Sequence, residues 1–284
     1  MKKGYTFPIH GYAGIVLVLL FWYLNWHLEG LRTHWGFFPL WLGYCLTVDA
    51  ITYKREGDSL ATRNPIAYIG LFVISFPFWW LFEALNEVAQ YWHYSHRDQF
   101  SDLEYFVLAS FSFSTVVPAV FGTSELVSSL SRNVKRKSWI KLGGKKWQQV
   151  AFFITGLIML LIVLLTPQYG AAFLWISIYF IIDPINVWMG HRSLLSETAK
   201  GHWRIIWILW IGCLICGFFW EMWNFHSNPK WFYTVPGVDF WHVFEMPLLG
   251  YLGYFPFALE LFAMYHFVVG IFKWKNWNSY LKLS

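Results

Sequence analysis

Apolar positions along the chain fall into long runs separated by short polar stretches. Eight of these runs approach the roughly 20 residues needed to cross a bilayer: about 10–28, 35–53, 66–88, 103–130, 149–166, 169–189, 204–224 and 246–272. The pattern predicts an all-α polytopic membrane protein with eight transmembrane helices. The first run follows a basic start, MKKGYTF, but is too long for a signal-peptide core and lacks a small-x-small cleavage site. It is expected to remain as the first span.

The polar stretches orient these helices. With the N-terminus inside, the inner segments hold 18 of the 21 lysines and arginines, and the outer loops hold only Arg32, Arg97 and Lys230. Basic residues favour the cytoplasmic side, so both termini are expected there, in a bacterial inner membrane. The net charge of +5 is then the basic inner face of a membrane protein and calls for no nucleic-acid partner. The chain is 57% hydrophobic and 13% charged, against about 25% charged in soluble domains. Cys45, Cys213 and Cys216 all lie in apolar runs and suggest packing rather than a disulfide framework.

The two halves of the chain resemble each other. LWLGYCLTVDAITYKREGDSL (40–60) and LWISIYFIIDPINVWMGHRSL (174–194) align at an offset of 134, bringing Asp49 onto Asp183 and Ser59 onto Ser193. Further on, PFWWLFEALNEVAQYWHYSHRD (77–98) and FFWEMWNFHSNPKWFYTVPG (218–237) share an order: Glu83 meets Glu221, Asn86 meets Asn224, Trp92 meets Trp231 and Tyr94 meets Tyr233. The expected organisation is two tandem four-helix repeats, a first unit over 1–130 and a second over 149–284, joined by a basic cytoplasmic linker, 131–148. Units with an even number of spans share an orientation, so their pseudo-two-fold axis would run along the membrane normal.

The candidate chemistry lies in these repeated phrases. Glu83-x-x-Asn86 and Glu221-x-x-Asn224 each put an acid and an amide on one helix face. Glu83 lies about 17 residues into its span, roughly 25 Å at helical rise and near the outer end of the hydrocarbon. Ionised carboxylates inside a bilayer cost at least about 2.5–3.5 kcal/mol. They are retained for function or locked into interhelical hydrogen bonds, and both readings stay open here. An apolar setting disfavours the charged form of a carboxyl, and a neutral carboxyl can act as a general acid. Glu221 and Glu83 are therefore candidate proton donors, with Asn224 and Asn86 orienting them and Glu260 and Glu245 secondary. Trp79, Trp80, Trp220, Trp223, Trp231 and Tyr233 are candidate lining for an apolar ligand, beyond the ordinary aromatic belt of a membrane interface. Asp49, Asp183 and Asn186, at the inner span ends, read as helix-end fasteners or as part of an ion pathway. His93, His96, His226 and His242 gather on the outer side, but no HExxH or repeated HxxxH accompanies them, and no metal or other cofactor is assigned. Pro118 and Pro256 interrupt the fourth and eighth spans.

Trp220-Glu221, then Trp231 and Tyr233, then PFALELF (256–262) resemble the small membrane-type lycopene cyclases, a carotenoid family built of two related membrane units. The resemblance covers about 60 residues of the second half and, more weakly, 79–125 of the first. Pro256 and Glu260 stand four apart without the family's second glutamate, and each unit here has four spans rather than three. It implies acid–base catalysis on a long isoprenoid without redox change. The alternative from another class is a non-catalytic membrane subunit bound to a membrane protein partner, or a proton- or cation-coupled transporter. Membrane lipids are expected neighbours in either case. There is no P-loop, GxGxxG or GxSxG sequence to support ATP-driven or dinucleotide chemistry.

Overall fold

The structure, a computed structural model, describes residues 5–31, 33–132 and 138–283. The centre of the basic linker, 133–137, and the basic positions 2, 3 and 32 lie outside the described residues. Helix accounts for 73% of the protein and sheet for little, so the chain is mostly helical, as the sequence predicts. The first half comprises α1 (Ile9–His27), α2 (Thr33–Glu56), α3 (Leu60–Arg63), α4 (Pro65–Ala89), β1 (Trp92–Tyr94), α5 (Asp102–Phe113) and α6 (Val116–Leu130). The second comprises α7 (Lys146–Leu165), α8 (Ala171–Trp188), α9 (Leu194–Ala199), α10 (Arg204–Phe225), β2 (Trp231–Tyr233), β3 (His242–Val243), β4 (Met246–Pro247), α11 (Tyr254–Ile271) and α12 (Lys275–Asn278). A 3₁₀ stretch, Leu248–Gly253, leads into α11.

Among the described residues, seven helical segments are long and apolar enough to cross a membrane: α1, α4, α5 continuing into α6, α7, α8, α10, and α11 with its 3₁₀ lead. The eighth expected span, α2, is long enough at 24 residues but is not among them. Glycine, threonine, tyrosine and Asp49 dilute its apolar content. Twelve of its residues are buried, and it packs against α1 and α6. A helix enclosed by protein does not need a uniformly greasy surface. By contrast α1 and α7 bury few residues and present Leu19, Leu20, Leu157 and Leu161 outward.

The fourth span breaks between Phe113 and Val116. Proline lacks an N–H, and its ring clashes with the carbonyl four residues earlier, here that of Ser114. Ser75 on α4 repairs the gap. Its hydroxyl donates to Phe113 O at 2.6 Å and accepts from Val117 N at 3.0 Å. This supplies the partners that backbone opened at membrane depth requires. Pro256 acts in the same way: the chain before it is 3₁₀, and the α-helix begins only at Tyr254.

Close packing joins the halves. At Gly212 on α10 an added Cβ would stand 2.3 Å from Ser124 Oγ on α6, so these two helices meet nearly backbone to backbone. One end of the helix assembly carries an antiparallel ribbon of β1 and β2, in which Trp92 faces Tyr233, His93 faces Phe232 and Tyr94 faces Trp231. This register is symmetric: exchanging the strands carries Trp92 onto Trp231 and Tyr94 onto Tyr233.

Candidate active site

Two asparagines anchor the ribbon. Asn86, on the last turns of α4, donates to Trp92 O at 2.7 Å and accepts from Tyr91 N at 2.8 Å. Asn224, on the last turn of α10, donates to Trp231 O at 2.7 Å and accepts from Trp231 N at 3.0 Å. Both amides are buried and hold backbone rather than an acid. The role expected for them, orienting Glu83 and Glu221, is therefore indirect. They fix the strand whose tyrosine reaches the carboxyl.

Each glutamate lies one helical turn before its asparagine, beneath its own strand. Glu83 Oε1 accepts from Trp79 Nε1 at 2.7 Å, Trp92 Nε1 at 3.1 Å and Tyr94 Oη at 2.5 Å. Glu221 Oε1 accepts from Tyr233 Oη and from Tyr254 Oη, both at 2.7 Å, and its Oε2 is buried with no partner among the described residues. Trp231 Nε1 donates to Tyr233 Oη at 2.9 Å. Burial, and then the adjacent Glu83 carboxyl, push the Tyr94 phenol up; burial and Glu221 do the same to Tyr233. Both phenols therefore remain protonated donors.

A cavity of about 490 Å³ opens beneath the ribbon, within the range of ligand pockets. Its walls come from both halves and are mostly aromatic or aliphatic, with Trp79, Trp92, Trp175, Trp220, Trp231 and Phe257 prominent. Glu221 lines it, as do Tyr233 and Tyr254; Glu83 does not. Trp175 stacks on Phe82 and on Trp92, both at 5.6 Å between ring centres, and forms an aromatic corner with Phe257. Arg97 and Lys230 also border the cavity, each already engaged: Arg97 with Asp102 at 2.6 Å, Lys230 with Glu245.

The remaining sequence candidates scatter. Trp80 does not line the cavity; it donates to Ser110 Oγ at 2.9 Å and stacks on Phe106. Trp223 is buried among Trp22, Trp41 and Tyr44. Glu260 is buried where α11 meets α8, accepting from Ile178 N at 3.1 Å, and Glu245 is held in its ion pair with Lys230. Neither glutamate lines the cavity.

Asp49 and Asp183 fasten the short helices α3 and α9. Asp49 accepts from Ser59 Oγ at 2.8 Å and Ala61 N at 2.9 Å, with His10 at 3.0 Å. Asp183 accepts from Leu194 N at 3.0 Å and Leu195 N at 2.7 Å. Asn186 donates to Ala263 O at 2.9 Å. The nearby arginines go elsewhere, Arg63 to Glu125 and Asp58, and Arg192 to Leu281 O.

The histidines do not converge. His93 bonds Thr234, His96 meets Gln99, His226 packs on Trp26 and His242 meets Asp239. Among the described residues no three His, Cys, Asp or Glu side chains form a metal-binding group.

Two contributors to the site, Tyr254 and Trp175, were not singled out in the sequence. Trp175 had a signal there, since the offset of 134 lays it on Trp41. Tyr254 stands two residues before Pro256, and nothing in the spacing marks it as reaching Glu221.

No family model matches the chain, and no curated protein or solved structure does either.

Proposed function

We propose that the protein is a membrane-embedded enzyme that protonates a long isoprenoid chain, with Glu221 as the general acid. One observation carries this reading: a buried carboxyl with a free oxygen on the wall of an aromatic, mostly apolar cavity. Ring closure of an acyclic isoprenoid needs a proton donated to a terminal double bond and a proton lost from the resulting ring cation. Glu221 supplies the first, and its carboxylate accepts the second, so the reaction is an isomerisation with no redox change. Aromatic faces around the cavity attract the cation that forms between these steps. The resemblance to the small membrane-type lycopene cyclases favours this chemistry.

The same proposal includes the finer architecture: eight spans in two tandem four-helix repeats about the bilayer normal, both termini cytoplasmic, in a bacterial inner membrane. The matched aspartate fasteners, the matched asparagine anchors and the symmetric ribbon support the repeat. Topology reporters fused near Asn228 should read external, and those placed within 131–146 of the linker and at the C-terminus cytoplasmic. An external linker would refute the eight-span arrangement.

The activity test is incubation of the purified protein with lycopene in D₂O, followed by mass spectrometry. Each cyclisation should add one deuteron to the product. No deuterated product from lycopene or a shorter acyclic isoprenoid would overturn the enzyme reading.

A further inference from the structure

Tyr233 has a neighbour on each side. Trp231 Nε1 can only donate, so at 2.9 Å it occupies the phenol oxygen as acceptor. The phenol proton must then point along the other contact, toward Glu221 Oε1 at 2.7 Å. Tyr254 Oη lies 2.7 Å from the same oxygen. Oε1 therefore receives two donated bonds, as a carbonyl oxygen with two lone pairs can. An acid proton on Oε1 would compete with both phenols. Oε2 has no such neighbour among the described residues.

We infer that Tyr254 and Tyr233 fix the proton of Glu221 on Oε2, so that Tyr254 is a positioning residue that presents the acid proton to the cavity. The inference rests on the acid role proposed above. It also assigns the pair a second task. Once the proton has left, a carboxylate remains in an apolar site, and two O–H donors already aimed at it hold the new charge without rearrangement. Three elements converge to build this clamp: α10 supplies Glu221, β2 supplies Tyr233 and the start of α11 supplies Tyr254. The approach of Tyr254 depends on Gly217, where an added Cβ would stand 2.4 Å from the tyrosine ring. The ring also stacks on Trp220 at 6.0 Å and 26°. Tyr254→Phe therefore keeps the packing and removes only the hydroxyl.

The test is infrared spectroscopy of the purified protein in an ester-free detergent near neutral pH, paired with kinetics on lycopene. The carboxyl band of Glu221 is the one that Glu221→Gln removes. In Tyr254→Phe that band should move to higher frequency, as a carbonyl does on losing a donor, and Tyr233→Phe should move it likewise. Losing one donor to the developing carboxylate should lower kcat roughly 10–100-fold with little change in KM. A Glu221 band that neither variant moves overturns the inference, even if lycopene is turned over. Absence of any protonated Glu221 band in the wild type overturns it as well. A band that shifts as expected in a protein that turns over no isoprenoid keeps the clamp and removes the enzyme reading. If Tyr254→Phe does not purify, Tyr233→Phe reads the same band and decides alone.

Discussion

The Glu83 and Glu221 sites share a plan and differ in what reaches the acid. In both, an acid lies one turn before an asparagine that holds an aromatic strand, and the strand's tyrosine donates back to the acid. At Glu83 two indoles join the tyrosine, so a single oxygen takes three donors. At Glu221 two phenols take one oxygen and leave the other without a partner among the described residues, on a side chain that lines the cavity. Laying Glu83 on Glu221 shows how the difference arises. Trp79, which donates to Glu83, falls on Gly217. Tyr254 occupies the space above that glycine, and its counterpart in the first half is Val116. Removing one large side chain exchanges a donor fixed in the same helix for one delivered by the next helix.

Glu221→Gln gives the largest expected effect. An amide keeps the shape and much of the hydrogen bonding but has no proton to transfer, so turnover should fall about 10²–10⁴-fold. Glu83→Gln should leave turnover within a few-fold, because an amide oxygen can still accept from Trp79, Trp92 and Tyr94, and interhelical hydrogen bonds in membranes average about 0.6 kcal/mol. Steady-state rates of the two variants, normalised to purified protein, decide the matter. Equal losses would make the sites equivalent and remove the distinction drawn here.

The asparagines should behave in the opposite way, with equal losses in both halves. Asn86→Ala strips the partners from Trp92 O and Tyr91 N, and Asn224→Ala does the same to Trp231 O and N. A buried backbone group left without a partner costs about 1–3 kcal/mol. Each variant should lower the thermal midpoint by several degrees, at about 2–4 °C per kcal/mol for a protein near this size. Melting curves in one detergent give the comparison. A large drop for one variant and none for the other would show that the ribbon is anchored from one side only.

Trp79→Phe sharpens the comparison at smaller scale. It removes one of three donors to Glu83 and retains an aromatic wall facing Phe257. The midpoint should fall by a degree or two while cavity binding, read by lycopene fluorescence quenching of the remaining tryptophans, stays near wild type. Loss of binding would mean that the first half contributes to the ligand site through Glu83 as well as through its wall.

How much of this was legible in the sequence follows from what each feature depends on. Apolar runs and helices are local properties, and the seven segments long and apolar enough to cross a membrane could be read directly. The α2 helix was also legible as a run over 35–53, but its lower apolar content reflects packing against α1 and α6, which only the structure reveals. The Glu-x-x-Asn phrases were visible as repeats, yet their roles were not separable. The donors that distinguish the two acids come from residue 79 in one case and residue 254 in the other, and no common spacing links them. Tryptophan was informative only as a class: Trp79 and Trp220 face the cavity while Trp80 and Trp223 do not, a difference set by helix rotation against neighbouring elements. Asp49 and Asp183, matched in the alignment, each hold the short helix that follows their own span. Their partners are a serine, a histidine and backbone N–H groups of the next short helix, which spacing alone did not identify.

The end opposite the ribbon offers the smallest test and carries the comparison one step further. Asp49 and Asp183 repeat the same fastening, but the neighbouring matched positions carry opposite charges: an offset of 134 lays Asp58 on Arg192. Both grip the C-terminal tail, Asp58 through Lys282 Nζ at 2.6 Å and Arg192 through Leu281 O at 3.1 Å. A single tail cannot satisfy two identical sites, so the halves diverge where it docks. Burial pushes the Asp58 carboxyl up, but hydrogen bonds and charges from Lys282 and Arg63 outweigh it and hold the group below its ordinary value of 3.8. A carboxylate lowered on folding stabilises the folded state above its unfolded value, and the contribution disappears as pH falls through the lowered one. The tail contact should therefore be complete at neutral pH and loosen only below about pH 3.9. Asp58→Asn should make release of the tail, followed by protease cleavage after Lys282, independent of acidification in that range. Retention of the wild-type acid dependence in Asp58→Asn would place the titrating group elsewhere, and the buried Glu125, which accepts from Arg63 and from Lys282 N, would be the next to replace.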